Sequence, residues 1–122
     1  MEKDLFDYVA QRVDTLAQAD TSKQETKDAA NGWKEAVVAD ASDASVDAAT
    51  EKLLDYLMTR LVTIDEVIAF AEGPAKEFLG EEAAAAMLAA QKERKANGEK
   101  YCNCEAHTAA TELLAKFGRI TL

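Results

Sequence analysis

The chain has 122 residues and a formal net charge of −9, with 23 acidic against 14 basic side chains, one proline and five glycines. That length suits one domain, residues 1–122, whose core needs no disulfide or metal to form, and the shortage of lysine and arginine speaks against a nucleic-acid partner held through its phosphates. Alanine, leucine, glutamate, aspartate and lysine dominate and β-branched runs are few, which predicts an all-α fold.

The opening Met1-Glu2-Lys3-Asp4 leads straight into an amphipathic pattern without the basic start and apolar run of a signal peptide. No apolar run approaches the ~20 residues of a membrane span. The expectation is a cytoplasmic protein with no membrane partner, in which thiols or thiolate ligands persist.

Leu5, Phe6, Val9, Val13 and Leu16 recur at spacings of three and four, so a first helix is predicted from about Glu2 to Ala19. Ser22 with Glu25 has the spacing of a capping box and is read as the start of a second helix. Its inner row is Thr26, Ala29, Ala30, Trp33 and Val37, in phase across Asn31-Gly32, which predicts one helix with a weak middle and Trp33 as a core anchor. Ser42 is the expected N-cap of a third helix carrying Val46, Ala49, Leu53, Leu57 and Leu61 inward. Another face bears Asp43, Asp47, Glu51 and Asp55 at intervals of four. This ladder is read as a solvated face whose early members favour the positive helix start, or as a docking stripe for a basic protein partner.

Thr63 and Glu66 form a second capping box, which starts a helix that ends at Glu72-Gly73-Pro74. A short turn of helix is expected over Ala75 to Leu79, with Phe78 and Leu79 pinning it to the core. From Gly80 onward acidic residues come first, alanines next, and Lys92, Arg94 and Lys95 last, an order that complements the helix dipole up to Asn97-Gly98. A last helix carries Ala106, Ala109, Ala110, Leu113, Leu114 and Phe117 inward and ends at Gly118. The pieces suggest a compact single-domain bundle of about six helices, some short.

Tyr101-Cys102-Asn103-Cys104-Glu105-Ala106-His107 holds both cysteines and the sole histidine of the chain. With the last helix starting at Glu105, Cys104 becomes its N-cap and His107 its third residue, the two positions that converge in a capping box. The positive helix end and Lys100 favour a thiolate, while Glu105 opposes it. Cys-x-Cys-x-x-His offers two sulfurs and one imidazole nitrogen to a thiophilic ion such as zinc, which accepts that mixture tetrahedrally. Cys102, Cys104 and His107 are thus candidate metal ligands. A fourth ligand has to come from Glu99, Glu105, a residue brought in by folding, water, or the same segment of another subunit, so a homo-oligomer sharing the site is one expectation. The rival readings are a redox pair of Cys102 and Cys104 in a strained disulfide, and thiols without special function.

The Tyr-Cys-x-Cys motif followed by the alanine-rich helix to Phe117 resembles the C-terminal signature of a short bacterial all-helical family, some of whose members carry a heat-shock or chaperone label. The likeness covers most of the chain. In that family the third position of the motif is often cysteine, and here it is His107, which keeps a ligand atom but weakens a simple disulfide reading. The chaperone label finds no ATP-binding motif in these residues. One histidine cannot supply the paired Glu-x-x-His motifs of a di-iron bundle, and a cysteine hydrolase would lack an orienting group beyond Cys104 and His107. The sequence therefore points to a small acidic helical protein, more a binder of zinc or a related metal than an enzyme, with no other cofactor indicated.

Overall fold

A computed structural model describes all 122 residues. Its seven helices are α1 Lys3–Gln18, α2 Gln24–Ala39, α3 Asp43–Met58, α4 Ile64–Glu72, α5 Ala75–Leu79, α6 Glu81–Ala96 and α7 Glu105–Lys116. No strand forms, and an isolated bridge joins Thr63 to Tyr101. The all-α bundle expected from composition is what the chain builds. It divides into two compact units, residues 1–61 with 103–121 and residues 62–102 with 122.

In the first unit α1 packs on α2 and α7, and α3 packs on the same two helices, which closes a ring of four. The stripes read from spacing meet at its centre: Val9, Val13 and Leu16 of α1, Leu54 and Leu57 of α3, and Leu113 and Leu114 of α7 are fully buried. Each such side chain contributes about 1.5–3 kcal/mol over an exposed one, so the centre of this ring carries most of the unit's burial energy. Trp33 is 5% exposed, and its indole N–H donates to Thr50 Oγ1 at 3.0 Å. Thr50 in turn donates to the Val46 carbonyl at 2.8 Å, so the one polar atom of the indole is satisfied inside the core. Helix α2 runs unbroken through Asn31-Gly32, and Ser42 caps α3 by accepting from the Ser45 N–H at 3.3 Å.

The expected Ser22–Glu25 box does not form. Helix α2 starts at Gln24 with Lys23 at the N-cap and no side-chain cap, so Ser22 lies one position too early to reach the first amides. Its hydroxyl is buried without a partner, and Glu25 pairs with Arg60 instead. A long-range ion pair has taken the carboxylate that local spacing assigned to the box.

The second unit is built on the Thr63–Glu66 box, and this one does form: Thr63 N–H donates to Glu66 Oε2 at 2.8 Å and Glu66 N–H to Thr63 Oγ1 at 3.2 Å. Ile64, Val67 and Ala71 of α4, Ala75 of α5 and Ala84 of α6 are buried. Phe78 and Leu79 do not pin α5 to a core, being 76% and 52% exposed. A helix of five residues has a single point of close approach, and Ala75 takes it. Phe78 stacks on Phe70, with ring centroids 6.4 Å apart.

The chain leading into the cysteines is strapped down within this unit. Ile64 N–H donates to the Lys100 carbonyl at 2.8 Å and Cys102 N–H to the Val62 carbonyl at 2.9 Å. From the last turn of α6, the Arg94 guanidinium donates to the Tyr101 carbonyl at 2.8 Å and to Glu99 at 3.2 Å. Backbone satisfaction along residues 99–102 thus fixes the stretch that presents Cys102.

Candidate metal centre

Helix α7 begins at Glu105, and Cys104 is its N-cap with extended backbone (φ −62°, ψ 162°). The Cys104 Sγ accepts from the His107 N–H at 3.4 Å and lies 2.9 Å from His107 Nδ1. The cap geometry read from the sequence therefore forms, with sulfur in the place usually taken by a hydroxyl or carboxylate oxygen. The turn that caps the helix also folds the imidazole back onto the thiol. Cys102 completes the cluster, since its sulfur, that of Cys104 and a ring nitrogen of His107 all lie within 4.8 Å of one another. All three residues are half-buried.

A tetrahedral zinc ion with Zn–S of about 2.3 Å and Zn–N of about 2.0–2.1 Å spaces its donor atoms roughly 3.5–3.8 Å apart. The Cys104–His107 pair, at 2.9 Å, would open to reach that spacing, and the distances to Cys102 are bounded by 4.8 Å. The donor set is soft, with two sulfurs and one imidazole, and so suits zinc or another thiophilic ion better than magnesium or calcium.

Burial pushes the His107 imidazole below its ordinary value, the Lys23 ammonium adds to this, and a hydrogen bond with the Arg60 backbone acts in the opposite direction. The sign of that last effect is the one given by a carbonyl accepting a ring N–H. Nδ1 is the ring nitrogen turned toward the Cys104 sulfur. Metal-ligating histidines are commonly oriented this way by a backbone carbonyl on the other nitrogen.

Sequence spacing could not find the residues that hold α7 in place from outside. The Ala106 N–H, one of the orphan amides of the first turn, donates to Thr21 Oγ1 at 3.0 Å across 85 positions of sequence. Thr21 thus serves the start of α7 rather than that of α2. Of the fourth ligands considered, Glu99 is held by Arg94, and neither it nor Glu105 joins the cluster of three.

The acidic ladder of α3 is partly neutralised within its own unit. Arg119 pairs with both Glu51 and Asp55, and the Met1 ammonium lies 2.7 Å from Asp43. Exposed pairs of this kind add little stability, but they leave Asp47 as the one rung without an ion pair. No helix is long and apolar enough to cross a membrane. No protein-family model, curated protein or solved structure matches the chain.

Proposed function

We propose that this protein binds zinc, or another thiophilic divalent ion, through Cys102 Sγ, Cys104 Sγ and His107 Nδ1, in a structural or sensory role. The observation that carries the reading is the convergence of the three donor atoms within 4.8 Å. The thiolates offset the ion's two charges and the imidazole donates a neutral lone pair. The fourth position is left to water, a small exogenous donor or the same segment of a second copy. The second and third of these give different stoichiometries under high and low protein concentration.

Elemental analysis by mass spectrometry on protein purified under reducing conditions without chelator, with a parallel thiol count, tests the reading. It requires metal near one per chain, or one per two chains if subunits share it, and loss of that metal in Cys102→Ser and Cys104→Ser. Metal-free protein with two titratable thiols, unchanged after incubation with buffered zinc, would overturn it. Titration against defined glutathione potentials would then ask whether Cys102 and Cys104 act as a redox pair.

A further inference from the structure

Helices α2 and α3 line an open groove of about 260 Å³ that shares no residue with the cysteine segment. Its lining combines the small residues Ala29 and Gly32 of α2 and Ala49 of α3 with the aromatic side chains Trp33 and Tyr56; Trp33 is its buried member and Gly32 lies at the exposed side. Gly32 is the informative member. It lies in the middle of a sixteen-residue helix, where glycine is destabilising relative to alanine. A Cβ added there would meet nothing within 4 Å, so no close approach within the chain requires the glycine. What the missing side chain preserves is open space in the groove.

The polar atoms of the two aromatic side chains are already engaged, Trp33 with Thr50 and Tyr56 with Thr26 at 3.0 Å. Trp33 is almost wholly buried beneath the groove, so the ring surface open to an occupant is that of the half-buried Tyr56. Charge enters from the rim, with Asp28 on α2 and Lys52 on α3. Asp28 accepts an amide hydrogen bond from Gln24 at 2.9 Å, and neither Asp28 nor Lys52 takes part in an ion pair. Two opposite charges thus flank one apolar groove without pairing with each other.

Size and charge together narrow the occupant. A cavity of about 150 Å³ admits benzene, and sites for drug-sized ligands run to roughly 300–1,000 Å³, so this groove suits one ring with a short polar tail. A plain anion would face Asp28 and the net charge of −9, and a plain cation would face Lys52. We infer that the α2–α3 groove binds a small aromatic zwitterion of the size and plan of a free aromatic amino acid, its ring over Gly32, its ammonium toward Asp28 and its carboxylate toward Lys52. This site is independent of the metal centre.

Trp33 is the only tryptophan of the chain and so reports on its own groove. L-phenylalanine, which does not emit with tryptophan, is titrated into the full chain while Trp33 emission is followed, with calorimetry in parallel. The comparison ligands are 3-phenylpropionate, which lacks the ammonium, phenethylamine, which lacks the carboxylate, and glycine, which lacks the ring. A saturable change with L-phenylalanine is expected, weaker by about tenfold with either singly charged analogue and absent with glycine. Gly32→Leu fills the open space and is expected to abolish binding while the far-UV circular dichroism stays helical. Lys52→Gln is expected to remove the preference for L-phenylalanine over phenethylamine. No saturable change up to about 10 mM, where a ligand this small should register, would overturn the proposal. Undiminished binding in Gly32→Leu would do the same, as would equal affinity for all three ring compounds.

Discussion

Substituting serine for Cys104 separates two duties that one sulfur performs at the start of α7. As a cap, Sγ accepts from the His107 N–H at 3.4 Å, and sulfur is a weak acceptor. Serine is among the best N-caps, and replacing a good cap with alanine costs about 0.5–2 kcal/mol. Without metal, Cys104→Ser should therefore match or exceed the wild-type stability by up to ~0.5 kcal/mol, whereas Cys104→Ala should lose up to ~1 kcal/mol. As a ligand, serine is far poorer toward a thiophilic ion. At free zinc 100-fold above its dissociation constant the wild type gains about 2.7 kcal/mol, somewhat less if the unfolded thiols also bind. In Cys104→Ser that increment should fall toward zero. Urea unfolding followed by far-UV circular dichroism, in chelator and in buffered zinc, reads both quantities from one protein. The reasoning is refuted if zinc stabilises Cys104→Ser as much as wild type, or if the metal-free serine variant is as unstable as the alanine variant.

His107 is the only histidine, so its ring resonances titrate alone by nuclear magnetic resonance. Burial first and Lys23 second hold its folded value below 6.5, so the unfolded chain takes up the proton more readily. The corresponding stability is complete above pH 6.5 and is lost as pH falls through 6.5 toward the folded value. A metal-free midpoint at or above 6.5 would contradict this. Gly32→Ala should stabilise the fold by up to about 1 kcal/mol in thermal or urea unfolding, because the added methyl meets no neighbour; a loss of stability would show that the space is needed by the fold itself. Ser22→Ala should be neutral or stabilising, since the hydroxyl is buried without a partner and its desolvation, about 1–3 kcal/mol, is uncompensated. A loss of about 1 kcal/mol, as for a working N-cap, would restore the capping box that the structure lacks.

What the sequence made legible was local. The stripes of α1, α3 and α7, the Thr63–Glu66 box and the Cys104 cap all depend on residues within a turn or two of one another, where helical geometry alone decides which side chains meet. The cluster of Cys102, Cys104 and His107 was readable for the same reason. Where a distant group competed, local reading failed: Arg60 takes Glu25, and Thr21 turns to Ala106, so neither the start of α2 nor the outer support of α7 followed from spacing. Phe78 failed differently. An apolar residue in a short connector implies burial only if the connector is long enough to lay it against something, and α5 spends its one contact on Ala75.

The straps on the chain before Cys102 and the cap at Cys104 bear on how an ion would be felt. Classical zinc fingers are unfolded until the ion arrives, so in them occupancy and folding are one event. Here the donors ride on backbone already held by Val62, Arg94 and the first turn of α7, and none of them belongs to the buried centre of α1, α2, α3 and α7, against which Cys104 packs from the edge. The local backbone at each donor is formed without an ion, so uptake should be nearly silent in helical content. Gain or loss of the ion would change the charge and reactivity of two thiols while the helices themselves persist. An ion held there would be free to exchange while the helices stay as they are.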